Sequence, residues 1–164
     1  MKFIPNYRQT YNIALLIIIV LLSFDAYLQV SLGVLPCLLT YAERIILLLL
    51  AIAFFSGGLH NHSKFSKKIH NWCSIIICLV GTATAFRHVL LQHAPLNSPT
   101  VMIPNFLDNL FSMFPFLIKI VNAYVGTADC AQVQWSWQSI SLATWTLFIF
   151  IFFLAVSFWQ QYRD

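Results

Sequence analysis

Four cysteines are the residues of this 164-residue sequence best suited to chemistry. Cys37 directly follows Pro36, and proline is favoured in the first turn of a helix because its missing N–H would have had no intrahelical partner. We therefore expect a helix to begin near Cys37. The free N–H groups and the dipole at a helix start stabilise a thiolate, which makes the sulfur a better nucleophile and leaving group.

Cys130 stands in the polar stretch ADCAQVQW, just before the last apolar run. We expect it to face the same compartment as Cys37, and two cysteines in an oxidising compartment usually form a disulfide. Such a bond is either redox-active or a structural staple, and the sequence leaves both alternatives open. Cys73 and Cys78 lie inside an apolar run, where inert core packing is expected.

Several polar residues accompany Cys37 at its end of the apolar runs. Cys37, Thr40 and Arg44 fall at i, i+3 and i+7, so they share one helix face, with Arg44 roughly 10 Å along the axis from Cys37. Asp25 and His88 are expected at the same end. His88 is a candidate to donate a hydrogen bond to a ligand carbonyl or to carry a proton. The alternative is a histidine at the membrane interface whose hydrogen bonds are satisfied and that has no role in chemistry. For Arg44, the alternative is a side chain that snorkels to the interface.

No metal site is expected from the spacing of these residues. The cysteines form no paired Cys-x-x-Cys units, and His60 with His62 lacks a third ligand. No histidine stands in the middle of an apolar run, which argues against a haem.

The composition predicts a lipid bilayer as the main partner. Hydrophobic residues make up 60% of the chain and charged residues 9%, which is too apolar for a soluble domain of this size. The net charge of +4 comes from Lys and Arg scattered between apolar runs. Because these form no continuous basic face, nucleic acid is not expected as a partner.

Four apolar runs are long enough to cross a membrane, so we predict an all-α membrane protein, a four-transmembrane-helix bundle forming a single domain over residues 1–164. The predicted helices cover about 11–32, 42–59, 71–91 and 140–159, with outer loops at about 33–41 and 92–138. No small-residue cleavage site follows the first run, so we expect it to be retained rather than removed as a signal peptide. Within the long loop, FLDNLFSMF predicts a short amphipathic interfacial helix.

The positive charges predict the orientation, because Lys and Arg in short flanking segments stay in the cytoplasm. Six of them lie on the side of the two termini and three on the other side, which places both termini in the cytoplasm and the two cysteine-bearing loops in the periplasm. The two groups are Lys2, Arg8, Lys64, Lys67, Lys68 and Arg163 against Arg44, Arg87 and Lys119.

Two motifs resemble those of the DsbB family. PCLLTYAER is similar to the Pro-Cys-x-x-Cys-x-x-Glu-Arg segment that opens the second helix of that family, and ADCAQVQW is similar to its Asp-Cys-Ala-x-x-Gln-Trp before the fourth. RHVLLQ resembles its histidine-containing counterpart at the end of helix three. The resemblance extends over essentially the whole chain.

The resemblance implies a bacterial inner-membrane oxidase, a multi-pass thiol:quinone oxidoreductase that promotes periplasmic disulfide formation. Such an enzyme oxidises a DsbA-type thiol protein and passes the electrons to the membrane quinone pool, with ubiquinone or menaquinone as cofactor. By position, Cys37 and Cys130 match catalytic cysteines of the family, and Arg44 and His88 match positions that contact quinone.

Two family cysteines are missing from this sequence. Thr40 occupies the second cysteine position of the short loop, and no cysteine lies between Cys78 and Cys130. A hydroxyl forms no exchangeable bond, so the four-cysteine relay of the family is impossible and only a reduced Cys37/Cys130 system is left. The alternative is a catalytically degenerate scaffold or regulator. A small transporter is disfavoured, since no span carries a Gly/Pro-broken pair or midplane charges.

Overall fold

Four long helices make up most of the structure, a computed structural model that describes residues 7–33, 36–59, 64–93, 128–133 and 135–163. The helices are α1 Tyr7–Leu32, α2 Leu38–Leu59, α3 Lys64–His93 and α4 Leu142–Arg163. Each is long and apolar enough to cross a membrane. The predicted all-α fold with four membrane-spanning helices is therefore confirmed.

Consecutive helices run in opposite directions. Tyr11, early in α1, packs on Phe54, late in α2, whereas Asp25, late in α1, pairs with Arg44, early in α2. α3 packs against both α2 and α4. The bundle thus has two ends, which we call the cysteine end and the distal end. The cysteine end holds Leu32, Leu38, His93 and Leu142, and the distal end holds Tyr7, Leu59, Lys64 and Arg163.

The helices extend beyond most of the predicted apolar spans. α3 begins at Lys64, seven residues before the predicted start at Asn71, because backbone hydrogen bonding continues through polar residues that a hydropathy count leaves out. Ile140, predicted to open the last helix, belongs instead to a short strand. The predicted amphipathic helix at Phe106–Phe114 lies outside the described residues, as does much of the predicted loop 92–138.

Large apolar side chains cover the outer faces of the helices. Val20 and Val30, for example, are 66% and 86% exposed, and many Ile, Leu and Phe side chains on all four helices also point outward. A soluble monomer rarely exposes so continuous an apolar surface. These faces are therefore suited to contact lipid, while the buried side chains pack between the helices.

A tight hairpin leads into α4. Strands β1 Ser136–Trp137 and β2 Ile140–Ser141 pair antiparallel, and both turn residues between them, Gln138 and Ser139, have positive φ angles of 51° and 65°. Two positive φ values in succession match the type I′ turn, whose twist suits a two-residue hairpin. Ser141 then caps α4, since its hydroxyl accepts a hydrogen bond from the Thr144 N–H at 3.3 Å.

Candidate functional site

A disulfide between Cys37 and Cys130 lies at the cysteine end of the bundle. Cys37 immediately precedes α2, and Cys130 belongs to a 3₁₀ turn at Ala128–Ala131. Their Cα atoms are 5.4 Å apart, and the two residues are only 8% and 1% exposed. The bond therefore joins the start of α2 to the segment that precedes the hairpin and α4, and it is packed inside the protein.

His88 connects this disulfide to a buried carboxyl group. Its Nε2 lies 3.7 Å from the Cys37 sulfur, and its Nδ1 lies 2.9 Å from Oε1 of Glu43. His88 is 5% exposed and Glu43 is 3% exposed. When Glu43 is ionised, its oxygen accepts the Nδ1–H, so the imidazole is held with Nε2 directed at the sulfur. Glu43, His88 and Cys37 thus form a continuous polar chain from α2 through α3 and back to the start of α2.

Arg44 is held by two partners on α1. Its guanidinium forms an ion pair with Asp25 and donates a hydrogen bond of 2.7 Å to the Gln29 side-chain oxygen. The guanidinium carbon also lies 5.6 Å from the centre of the Tyr41 ring. Both members of the ion pair are partly buried, so Arg44 is tied into the bundle between α1 and α2 rather than extended alone toward the interface.

Thr40 lies beside the Cys37 sulfur, with its hydroxyl oxygen 3.5 Å from that atom. A small cavity of about 30 Å³ is lined by Cys37, Thr40 and Arg44, together with His88. The three residues therefore face the same space, as their predicted common helix face requires. That volume is enough for at least one water molecule.

A second and larger cavity of about 510 Å³ lies next to the first. Asp25, Thr40 and Arg44 line both cavities. The rest of the larger cavity is mostly apolar, lined by Leu and Ile side chains of the spans, Phe24 and three tryptophans. His88 lines the small cavity and is not among the residues of the larger one. Arg44 is therefore placed to contact a ligand in the larger cavity, whereas His88 is placed next to the disulfide.

Glu43 and Gln29 are site residues that the sequence analysis did not single out. The signal for Glu43 was available, since an ionisable residue inside a membrane span needs a partner and is a functional candidate by default. Gln29 carries no comparable signal. It belongs to the site only because α1 and α2 pack in a register that brings it to Arg44.

The other two cysteines lie on the first half of α3, away from the disulfide. Cys78 is buried in the core, as expected, but Cys73 is exposed on the outer face of the bundle, so the expectation of core packing was wrong for Cys73. His60 and His62 lie outside the described residues.

Comparisons with known proteins agree over nearly the whole chain. The family model described as disulfide bond formation protein DsbB matches residues 7–160. The chain is 33% identical over 149 residues to disulfide bond formation protein B of Hahella chejuensis, covering 91% of this chain and 90% of that relative. It is 31% identical over 156 residues to disulfide bond formation protein B 1 of Pseudomonas aeruginosa, covering 95% of each. A third similar relative, from Saccharophagus degradans, is 29% identical over 160 residues, covering 98% of this chain and 96% of the relative.

Proposed function

The chain belongs to the DsbB family of disulfide-forming membrane proteins, and from that premise we propose that it oxidises a DsbA-type thiol protein and passes the electrons to a membrane quinone. The family resemblance drawn from the two cysteine motifs is confirmed, and with it a multi-pass protein of the inner membrane. The observation that carries the proposal is the position of the Cys37–Cys130 disulfide, next to His88 and beside an apolar cavity with Arg44 at its edge.

The first half of the reaction is thiol–disulfide exchange. A thiolate of the partner attacks the Cys130 sulfur, the Cys37–Cys130 bond breaks, and Cys37 leaves as a thiolate. His88 supports this direction of cleavage because its Nε2 lies 3.7 Å from the Cys37 sulfur, so a protonated ring, with Nδ1–H bonded to Glu43, can donate its Nε2–H to the leaving thiolate. The second thiol of the partner then attacks the mixed disulfide and releases Cys130. The partner ends as a disulfide, while Cys37 and Cys130 hold its two electrons and two protons as thiols.

The larger cavity has the chemistry that a quinone needs. Its apolar walls suit a ring and the beginning of an isoprenoid tail, and the Arg44 guanidinium and Thr40 hydroxyl offer hydrogen-bond donors to ring carbonyls. A quinone held there supplies an acceptor for the two electrons and two protons that leave when Cys37 and Cys130 close their disulfide again. Asp25 and Gln29 hold the Arg44 side chain at the edge of the cavity.

In this proposal the Cys37–Cys130 disulfide replaces the four-cysteine relay of the family. Because Thr40 replaces the second cysteine of the short loop, Cys37 must close directly onto Cys130. The Cα separation of 5.4 Å is within the range that disulfides use, so closure needs no large movement of the backbone. Thr40 keeps a hydroxyl near the sulfur but takes no part in exchange.

The orientation of the protein in the membrane is also part of the proposal. We place the cysteine end in the periplasm and both termini in the cytoplasm, from the majority of six against three positive charges in the flanking segments. This orientation puts Cys37 and Cys130 in the compartment where a DsbA-type partner works.

The direct test uses purified protein in detergent, supplied with a soluble quinone and a reduced DsbA-type protein. We expect oxidation of the partner with consumption of one quinone for each partner disulfide formed. Cys37→Ser should reduce the rate to that of the reaction without enzyme, and Cys73→Ser, which changes a cysteine outside the site, should leave it unchanged. Equal rates for the wild-type chain and Cys37→Ser would contradict the proposal.

A second candidate is the non-catalytic scaffold or regulator. It is favoured by the burial of both sulfurs, since a partner thiolate must reach a disulfide that is almost inaccessible in this structure, and by Thr40 at a position where the family has a cysteine. Under this alternative the disulfide is a staple. Cells whose only copy carries Cys130→Ser would then form periplasmic disulfides normally, whereas the oxidase proposal expects a defect.

A further inference from the structure

The cluster of Cys37, Cys130 and His88 contains the ligand set of a metal site once its disulfide is open. The two sulfurs and one ring nitrogen lie within 4.8 Å of one another, and all three residues are buried. We propose that reduction of the Cys37–Cys130 bond converts this cluster into a zinc site with two thiolate ligands and one imidazole ligand. The inference rests on the proposed function only in requiring that the disulfide can be reduced.

The distances suit a tetrahedral ion. With metal–sulfur and metal–nitrogen bonds of about 2.3 and 2.0 Å, tetrahedral ligands lie about 3.5 Å apart for sulfur and nitrogen and about 3.8 Å apart for two sulfurs. His88 Nε2 is already 3.7 Å from the Cys37 sulfur. After reduction the two sulfurs must separate, and the Cys130 sulfur, which lies within 4.8 Å of the other two ligand atoms, must settle about 3.5 Å from the ring nitrogen. Rotation of the Cys130 side chain changes both distances.

His88 is oriented as a metal-binding histidine should be. Its Nδ1 contacts Glu43 at 2.9 Å and leaves Nε2 directed at the sulfur. A carboxylate that accepts the second ring N–H is the usual support of a zinc-bound histidine, because it sets the tautomer and raises the basicity of the ligand. Glu43 is therefore a positioning residue in this proposal and does not itself bind the ion.

The charges around the cluster favour a divalent cation. With both sulfurs deprotonated and both carboxyl groups ionised, the two thiolates, Glu43 and Asp25 carry four negative charges, and Arg44 pairs with one of them, Asp25. Such an excess is unfavourable in a buried site unless a cation balances it. The small cavity beside Cys37 and His88 leaves room for a water molecule as fourth ligand.

The chemistry balances in two steps. A dithiol breaks the Cys37–Cys130 bond, transfers two electrons and two protons to the sulfurs, and itself becomes a disulfide. Zinc then binds both sulfurs as thiolates and displaces the two protons to solvent. Because bound thiolates are unavailable for disulfide closure, zinc should hold the protein in its reduced form.

The test measures zinc binding by the full chain in detergent, without a histidine tag, after reduction with a phosphine and its removal. The background is Cys73→Ser/Cys78→Ser, so that Cys37 and Cys130 are the only cysteines left in the chain. We expect about one zinc ion retained by each reduced chain and none by the oxidised chain. Co²⁺ in place of zinc should give the intense near-ultraviolet absorption of thiolate ligation and the visible bands of a tetrahedral ion.

Variants separate this site from other histidines. His88→Ala should abolish retention of zinc, and Glu43→Gln should weaken affinity by about 10- to 100-fold. His93→Ala, which changes an exposed histidine one helical turn beyond the site, and His60→Ala/His62→Ala should both leave affinity unchanged. Recovery of the Cys37–Cys130 bond on oxidation of His88→Ala would show that this variant is folded.

Two results would overturn the inference: no zinc on the reduced chain, or retention that His88→Ala does not change. Neither the partner protein nor quinone enters this assay, so its outcome is independent of the oxidase reaction. If the protein is an active oxidase but retains no zinc, only the metal-site inference is overturned. If it is inactive as an oxidase but binds zinc when reduced, only the oxidase proposal is overturned.

Discussion

The two ends of the bundle are built from different chemistry. At the cysteine end, Asp25 pairs with Arg44 and Glu43 pairs with His88, around a disulfide and two cavities. At the distal end, aromatic rings stack closely and the described polar contacts inside the bundle include neutral hydrogen bonds through Asn71. Buried ion pairs contribute little net stability, since desolvation offsets their attraction. We infer from this difference that the distal end contributes more to the stability of the fold, while the cysteine end, under the proposed function, positions reactive groups.

Packing at the distal end depends on a close approach between α1 and α2. The Tyr7 and Tyr11 rings stack with centres 4.5 Å apart, and the Tyr11 ring meets the edge of Phe54 at 5.0 Å. Gly57 allows this arrangement, because a Cβ at that position would lie 2.7 Å from two ring carbons of Tyr11. The stack thus depends on close packing, and the Lys67 ammonium adds a cation–π contact 5.2 Å from the centre of the Tyr7 ring.

The largest effect should come from removing either sulfur of the disulfide. Cys130→Ser is expected to abolish oxidation of a reduced DsbA-type partner, because no second disulfide can form among the residues at that end. Helix content, measured by circular dichroism, should stay unchanged, since the distal packing is untouched. If this variant still oxidised the partner well above the uncatalysed rate, the disulfide at the cysteine end would not be the redox centre.

The next largest effect is expected at the distal end and concerns stability. Gly57→Ala forces the Tyr11 ring to shift and should lower the free energy of unfolding by about 1–3 kcal/mol. Gly58→Ala is the matched control, because its Cβ would meet the side-chain amide of Asn12 at 2.5 Å, and that exposed side chain can rotate away. Thermal unfolding in detergent should separate the two variants, whereas an equal loss in both would argue that the Tyr11 stack is not the cause.

A smaller effect on activity should follow Arg44→Lys. Lysine keeps the charge but loses the planar group that contacts both Asp25 and Gln29, so the KM for quinone should rise about tenfold, equivalent to about 1.4 kcal/mol. Arg163→Lys is the matched change at the distal end, where the guanidinium lies 5.2 Å from the centre of the Trp159 ring. That variant should leave the KM unchanged. A higher KM in both variants would show that the effect is not specific to the cavity.

The smallest effect is expected for Tyr11→Phe. The change removes the hydrogen bond that the Tyr11 hydroxyl donates to the Asn71 side-chain oxygen at 3.2 Å but keeps the stacked ring. Hydrogen bonds between helices in membranes contribute about 0.6 kcal/mol on average, so unfolding free energy should fall by about that amount. Asn71 still donates to Gln161 at 2.8 Å. Tyr27→Phe, which changes an exposed ring, is the control. A loss of unfolding free energy above about 2 kcal/mol in Tyr11→Phe would mean that this neutral hydrogen bond contributes more stability than we expect.

Much of the fold could be predicted because the membrane makes the sequence signal strong. Four long apolar runs admit few structures other than spanning helices, since backbone groups in lipid must be paired within the segment. Pro36 indicated the start of the second helix, and α2 does begin at Leu38. The hairpin before α4 carried no such signal, because its turn residues Gln138 and Ser139 adopt positive φ without glycine or asparagine.

Less of the candidate site could be predicted from the sequence. Its cysteines could be named because thiol chemistry is rare and Pro36 marked one of them, but the contact between His88 and Glu43 joins residues on two helices. That contact depends on the rotation and register of α2 against α3, which the apolar pattern leaves undetermined. For the same reason the sequence predicted no metal site, since Cys37, His88 and Cys130 are brought together only by the fold.

The measurement that tests the central claim most directly is non-reducing mass spectrometry of the purified protein, mapping the Cys37–Cys130 bond before and after incubation with a reduced DsbA-type protein. We predict that the bond is present at the start, opens on incubation as the partner becomes oxidised, and re-forms only when quinone is added. A bond that stays intact with the partner, or free thiols at the start, would contradict the claim that this disulfide is the redox centre.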